Sequence, residues 1–387
     1  MVEETRLIHT GAAPETLART VGPPIQKGST VLLPRAACLY DDDNYLTYGR
    51  GGLAAHDALR GALAELEGAE AVSLYPSGLA ALTGAMLAVL KAGDEVLAGD
   101  NVYKPTRRFC DSVLSRFGVT TRYFDPRLAP EDLLAQATDA TRLILLESPG
   151  SLTFELQDLS AIARLAKARG ILTLADNTWG AGYLFKPLAH GIDISVQALT
   201  KYVGGHSDVF MGSAATRDPE LARLLGDGIH QLGWACAPED AYQMLRGLRT
   251  LPVRLGRHGE SALKIAAWLA ERSEVRQVLH PALPGTAGHE LWRRDYSGAC
   301  GLFGFVLQPA SQAQVEAFLD ALEVFGLGFS WGGYESLAIS CDPQLSRRSF
   351  RPDHGGPLMR LHVGLEAPDD LIADLERGFA ALASTGS

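Results

Sequence analysis

The sequence predicts an α/β protein: a large domain on a mostly parallel sheet, a smaller C-terminal α+β domain, and an extended N-terminal arm. Three observations carry this. From about residue 56 to 250, short apolar runs alternate with helix-like segments, the pattern of parallel strands covered by helices on both faces. After about residue 250 the alternation gives way to strand candidates mixed with helices. Before residue 56 no periodic apolar stretch occurs, and a chain of 387 residues exceeds one ordinary core. The boundaries are 1–55 for the arm, 56–250 for the large domain and 251–387 for the smaller one.

The arm holds Pro14, Pro23, Pro24 and Pro34, an acidic Asp41-Asp42-Asp43 cluster and many glycines, which interrupt regular structure. An arm without its own core lies on something else, and a neighbouring subunit is the natural candidate. In the large domain, helix-like segments span Ala54–Leu66, Leu79–Leu90, Pro105–Phe117 and Asp158–Ala168. They separate the strand candidates Ala71–Tyr75, Glu95–Ala98, Thr121–Phe124, Leu143–Leu146, Ile171–Ala175 and Ile194–Leu199. In such sheets ligands collect at the carboxyl ends of the strands, so chemistry is sought there. In the C-terminal domain the strand candidates are Leu302–Leu307, Leu337–Ser340 and Leu358–Val363. Helices are expected over Gln312–Leu322 and Asp369–Ala383, the latter with Asp369 as N-cap. There is no repeat or low-complexity tract.

Hydrophobic residues make up 47% and charged residues 21% of the chain, enough to bury a sizeable core. The formal net charge is −10 and the pI about 5.5. Phosphate-rich partners need a basic surface, so neither nucleic acid nor an anionic membrane is expected as a partner. Cys38, Cys110, Cys236, Cys300 and Cys341 are scattered and form no C-x-x-C pair; unpaired thiols in a reducing compartment are expected. The start, MVEETRLIHTG, is charged and lacks the apolar stretch of a signal peptide. The longest apolar run, Leu79 to Leu90, contains Thr83 and Gly84 and is too short to span a bilayer. A cytoplasmic location is expected.

Lys201 follows the run Ile194–Leu199 beside Thr200, in Thr200-Lys-Tyr-Val-Gly-Gly-His-Ser-Asp208. There it would face the ligand crevice, where a desolvated lysine loses its charge readily enough to form a Schiff base. On its own, Lys201 is better read as a surface lysine on a turn; Asp176 reverses that. Asp176 ends the strand Ile171–Ala175 in Leu174-Ala-Asp-Asn-Thr-Trp179. A carboxylate at the end of a buried strand is costly without a partner. A protonated pyridine nitrogen is such a partner and keeps the ring an electron sink; an N-cap for the next helix is the plainer alternative. In Tyr75-Pro-Ser-Gly-Leu-Ala80 a strand feeds a helix through Gly78. Glycine at a helix start lets backbone N–H groups approach an anion, and the helix dipole favours a phosphate, although a glycine turn before a helix is common. Thr200 can add a hydroxyl to the same phosphate. Tyr103, in Asn101-Val-Tyr-Lys-Pro105, can stack on a planar cofactor or serve as a core tyrosine. Together these describe a pyridoxal 5′-phosphate (PLP) site with Lys201 as the carrier. Gly49-Arg-Gly-Gly-Leu-Ala54 mimics a dinucleotide fingerprint but follows no strand. The ten histidines lack metal-binding spacing, so no metal is expected.

The tract Asp176-Asn-Thr-Trp179 with the lysine tract resembles the Cys/Met-metabolism group of fold-type I PLP enzymes. Tyr48-Gly-Arg50, Ser330-Trp-Gly-Gly-Tyr-Glu-Ser336 and Arg360-Leu-His-Val-Gly364 extend the resemblance from the arm to the last helix. Leu146-Glu-Ser-Pro-Gly150, His280-Pro-Ala-Leu-Pro-Gly285 and Trp331, where γ-directed relatives usually carry an aliphatic residue, are most similar to the bacterial β-lyase branch. The resemblance implies the fold-type I architecture. It gives Lys201 the Schiff base and the proton shuttling, Asp176 the pyridine nitrogen and Tyr103 the ring face. It gives the phosphate to Gly78, Leu79 and Thr200, and to Tyr48 and Arg50 of an adjacent subunit, which would explain the arm. Tyr48 and Tyr103 join Lys201 as catalytic candidates. Arg360 would clamp the substrate α-carboxylate bidentately, which lysine does poorly, with Ser330 and Trp331 lining the same end. Two positions depart from the pattern: Ala198, where many relatives carry a serine, and Phe329, where a tyrosine is expected.

What the resemblance implies for function is β-elimination from a small amino-acid thioether, L-cystathionine, giving homocysteine, pyruvate and ammonia. It also implies a homotetramer built from dimers that share active sites. A γ-acting relative and a cysteine desulfhydrase are the alternative enzymes. A catalytically silent α/β binding protein is the alternative from another class, but such a protein has no need of Lys201, Asp176 and Arg360 together.

Overall fold

The structure is a computed structural model that describes residues 2–10, 20–41, 44–346, 348–350 and 352–385. Its large sheet comprises β1 (Ala71–Tyr75), β2 (Glu95–Gly99), β3 (Thr120–Phe124), β4 (Thr141–Glu147), β5 (Leu172–Asp176), β6 (Ile194–Gln197) and β7 (Gly212–Thr216). The order is β1-β7-β6-β5-β4-β2-β3. Strand β7 runs antiparallel to β1 and β6, while the remaining neighbours pair in parallel. Apolar runs become strands because both faces are covered: Leu143, Ile144, Leu145 and Leu146 of β4 are all buried. Each such side chain stabilises the fold by about 1.5–3 kcal/mol.

All six strands expected in this region form, with β6 ending two residues early as the chain turns toward Lys201. Strand β7 lies outside the expectation. Its sequence Gly-Ser-Ala-Ala-Thr carries little β-propensity, and its small side chains answer a packing demand. A Cβ on Gly212 would stand 2.4 Å from the Ser77 carbonyl oxygen, so only glycine lets the turn before the helix Gly78–Val89 lie on β7.

Helix Leu159–Lys167 buries Leu159, Ile162, Ala163 and Ala166, one face at helical spacing. Asp158 caps it, accepting from the Ala161 N–H at 3.0 Å. The segment Pro105–Phe117 is helical only in part: a regular helix spans Lys104–Phe109, followed by a wider turn and a tighter one that end at Gly118 with φ 75°.

A second sheet contains β8 (Val275–Leu279), β9 (Leu302–Leu307), β10 (Gly326–Leu327), β11 (Leu337–Ser340) and β12 (Leu358–His362), in the order β10-β11-β12-β9-β8. It is antiparallel apart from the β10–β11 pair. The helix Leu251–Ala270 joins the two cores. Leu251 and Leu255 pack with residues of the large sheet, whereas Ala262, Ile265, Ala266 and Leu269 pack under the second sheet. The last helix runs Pro368–Ser384 with Ala367 as its N-cap, so Asp369 is not the cap. Proline is preorganised for the first helical position, and Asp369 sits in the first turn, paired with Lys264.

The arm is not extended at its very start. Glu3–His9 form a helix whose Leu7 is fully buried, and Glu3 pairs with Lys186 at 2.6 Å. Further on, Val21, Leu32, Leu39 and Tyr40 are exposed apolar side chains. Pro14, Asp42 and Asp43 lie outside the described residues. No helix among the described residues is long and apolar enough to cross a membrane.

Candidate active site

The ends of β4, β5 and β6 face a cavity of about 400 Å³, closed on its far side by residues of the second sheet. Asp176, the last residue of β5, stands in register with Glu147, the last residue of β4. One Asp176 carboxylate oxygen accepts from the Thr178 N–H at 3.0 Å and from the Thr178 hydroxyl at 2.5 Å. The Thr178 oxygen in turn accepts from the Ala198 N–H at 2.9 Å, tying the end of β5 to the turn that carries Lys201. Desolvation pushes the Asp176 pKa up, opposed by the Thr178 bonds and the Lys201 charge. A carboxylate so placed is stabilised by a cation arriving in the cavity.

Lys201 sits at the end of the turn after β6, its N–H donating to the Ala198 carbonyl at 3.0 Å. Its Nζ donates to the Ser330 Oγ at 2.7 Å and lies 5.4 Å from the Trp331 ring centroid. Burial, and then the Arg360 charge, pull its pKa down to about 8, against the pull of Asp176. A far larger fraction of the amine is thus neutral near physiological pH than for an exposed lysine, which favours its use as a nucleophile or base.

The anion cradle is the turn before helix Gly78–Val89. Ser77 caps that helix, its hydroxyl accepting from the Ala80 N–H at 3.1 Å. A Cβ on Gly78 would stand 2.3 Å from the Ala198 Cβ, so glycine is obligatory and the cradle packs directly on the lysine turn. That contact also gives Ala198 a reason to be small. The Thr200 hydroxyl donates to the Met211 carbonyl at 3.2 Å and accepts from the Met211 N–H at 3.0 Å. With a single hydrogen, it must release Met211 to donate to a phosphate.

Tyr103 lines the cavity, half exposed, with its backbone N–H donating to Glu147 at 2.7 Å. Desolvation, Glu147 and Asp176 raise its pKa, so the phenol keeps its proton. Arg360 projects from β12, and its Nη2 donates to the carbonyls of Phe329 at 3.2 Å and Ser330 at 3.1 Å. Its Nε is buried without a hydrogen-bond partner. An unsatisfied guanidinium donor beside the cavity suits a carboxylate ligand, because leaving it unpaired costs about 1–3 kcal/mol. Phe329 is exposed at the cavity mouth.

The cavity therefore brings together Lys201, Asp176, Tyr103, Gly78, Leu79, Thr200, Ser330, Trp331 and Arg360. Tyr48 and Arg50 are not among its lining residues. Tyr48 is exposed, and Arg50 donates to the His230 carbonyl at 2.9 Å. Sequence reasoning passed over Ser77, Thr178 and Glu147. Thr178 and Glu147 lay within tracts noted for their resemblance; the Thr178 bonds to Asp176 are local, but its contact with Ala198 and the pairing of Glu147 with Asp176 exist only through the fold. Desolvation and the neighbouring Asp176 charge push the Glu147 pKa well up, so a protonated Glu147 and an ionised Asp176 can share this edge.

These groups fit PLP: a carboxylate for a pyridinium, a glycine turn at a helix start for a phosphate, and an amine of lowered pKa in the same cavity. The comparisons agree. The family described as Cys/Met metabolism PLP-dependent enzyme matches residues 4–380. Cystathionine β-lyase MetC of Escherichia coli is 41% identical over 393 residues, covering 98% of each chain. Cystathionine β-lyase of Bordetella avium is 42% identical over 383 residues, covering 96% of each. The solved structure of cystathionine γ-lyase from Lactobacillus plantarum, complexed with L-serine, is 33% identical with a TM-score of 0.92, covering 99% of this chain and 100% of that one. The chain belongs to the PLP-dependent enzymes of Cys/Met metabolism, α/β proteins with the architecture described above.

Proposed function

We propose that the protein is a carbon–sulfur lyase that cleaves the Cβ–S bond of L-cystathionine with consumption of one water, releasing homocysteine, pyruvate and ammonia. The observation that carries this reading is the Trp331 indole, set beside the Lys201 amine in a cavity whose far wall holds Arg360. The relatives named as β-lyases at 41% and 42% identity support it, against 33% for the γ-lyase structure. Bound PLP supplies a cationic ring that accepts the electron pair left at the substrate Cα. The chain supplies the rest. Arg360 receives the α-carboxylate through its unpaired Nε, and Lys201 takes the Cα proton. The departing sulfur is protonated from Lys201 or from Tyr103, whose raised pKa keeps a proton available.

Elimination at Cβ needs no base at the Cβ hydrogens, whereas γ chemistry does. A bulky indole next to the carboxylate clamp restricts rotation about Cα–Cβ, and misplacement near 1 Å costs about a hundredfold in rate. Incubation with L-cystathionine is expected to yield pyruvate with little 2-oxobutyrate, quantified by chromatography. Predominant 2-oxobutyrate would move the protein to the γ-lyases.

The same reading assigns the arm 1–55, beyond its own-chain helix Glu3–His9, to contacts with a neighbouring subunit, with 56–250 holding the cofactor and 251–387 closing the site. It makes the protein a cytoplasmic homotetramer of methionine biosynthesis. The position of Tyr48 and Arg50 outside the cavity supports shared sites. Arg50→Ala and Lys201→Ala are each expected to be nearly inactive, while reassembled hybrids of the two regain activity at interfaces with one intact site. No recovery despite proven subunit exchange would show that the arm serves its own chain.

A further inference from the structure

The loop 329–333 carries Ser330 and Trp331 onto Lys201, and two residues of β12 hold it. Arg360 bonds its start, at the Phe329 and Ser330 carbonyls. His362, two positions along the strand and so on the same face, reaches its end. The Gly332 N–H points at His362 Nε2 from 3.0 Å, and the Gly333 carbonyl oxygen lies 3.1 Å from that same nitrogen. Either tautomer ties the imidazole to the loop, by accepting from Gly332 or by donating to Gly333.

The fold makes room for this ring. His362 is fully buried, and a Cβ on Gly301 would stand 3.1 Å from it. Tyr202, next to Lys201, packs 5.9 Å from the His362 centroid and 5.4 Å from that of Trp331. The loop end also touches the lysine main chain. Gly332 has φ +88°, and a Cβ there would stand 2.8 Å from the Lys201 carbonyl carbon. Burial first, then His258, hold the His362 pKa down to about 3, so the ring is uncharged at neutral pH. His362 does not line the cavity.

We infer that His362 is a positioning residue that pins the 329–333 loop, keeping Trp331 and Ser330 on Lys201 while Arg360 engages the substrate. Its kinetic consequence rests on the proposed function; the anchor itself rests on the contacts. Glutamine can place either an acceptor or a donor where Nε2 stands, whereas asparagine is too short. The test compares His362→Gln and His362→Asn in the holoenzyme, reading hydrogen exchange of the peptide covering 328–335, and kcat and KM with L-cystathionine. For His362→Gln, loop exchange and kcat are expected within about threefold of the parent. For His362→Asn, loop exchange should rise and kcat fall by about tenfold, the scale of one lost hydrogen bond. Equal behaviour of the two variants, or unchanged loop exchange in His362→Asn, overturns the inference. Should His362→Asn fail to fold, His362→Gln decides: retained protection and kcat support the anchor, and loss of either overturns it. If exchange follows the expected pattern but pyruvate is not formed, the substrate reading fails and the anchor stands.

Discussion

Lys201→Ala is expected to lose activity on the order of a thousandfold or more, the scale of removing a positioned acid–base group, and to lose covalent attachment of the cofactor altogether. Borohydride treatment of the unmodified protein should leave the cofactor mass on the peptide containing Lys201. The competing amine is Lys104, which also lines the cavity, but from the exposed helix start after Tyr103. Lys201 differs in having Ser330 as a hydrogen-bond acceptor at 2.7 Å and in the neighbouring charges of Asp176 and Arg360. Its lowered pKa has a direct reading in the cofactor-free protein. Burial and Arg360 penalise the ammonium, so the reactive neutral amine should appear with a midpoint near 8, well below the ordinary lysine value of about 10.4. Labelling by an amine reagent across pH, followed by mass spectrometry, measures this for each lysine separately. An adduct on Lys104, or a midpoint for Lys201 at the ordinary value, would remove it from the centre of the site.

The parts of this site that were legible in the sequence are those a strand delivers directly. Lys201 and Asp176 follow near-continuous apolar runs, and such runs have few alternatives to a doubly covered strand. Gly78 was readable because it separates a strand from a helix, although its need to be glycine is a contact with Ala198 across the sheet. Arg360, Ser330 and Trp331 come from beyond the large sheet: Ser330 meets Lys201 across 129 positions of chain. Spacing could not connect them, and only the family resemblance did. Strand β7 was hidden because packing on the Ser77 turn demands small residues, which carry no strand signal. Strand β8 was hidden for another reason: Arg276 and Gln277 are exposed within its five residues, so it lacks a continuous apolar run. Glu147 stood inside a noted tract, yet its pairing with Asp176 is a fact of register, which no local pattern encodes. In the arm, Leu7 is a single buried apolar residue in a seven-residue helix, too little periodicity to read.

Arg360→Lys and Arg360→Ala are expected to fail differently, and the difference separates two tasks of one guanidinium. As a clamp, Arg360 offers the α-carboxylate a planar fork, of which Nε is buried and unpaired while Nη2 holds the Phe329 and Ser330 carbonyls. Lysine keeps the charge but has no fork, so both variants should raise KM for L-cystathionine by about a hundredfold, within the 2–5 kcal/mol typical of breaking a buried, hydrogen-bonded charge pair. As a charge, Arg360 is the second cause, after burial, of the lowered Lys201 pKa. Removing it in Arg360→Ala lets the Lys201 pKa rise, leaving less neutral amine at a given pH. The labelling midpoint of Lys201 should therefore move upward in Arg360→Ala and stay near 8 in Arg360→Lys. The alanine variant also frees the carbonyls of residues 329 and 330, which loosens Ser330 from the lysine and adds a loss in kcat that the lysine variant shares only in part. A KM unchanged in both variants would mean that the carboxylate is held elsewhere. An equal shift of the midpoint in both would mean that Arg360 acts on Lys201 through loop geometry and not through its charge.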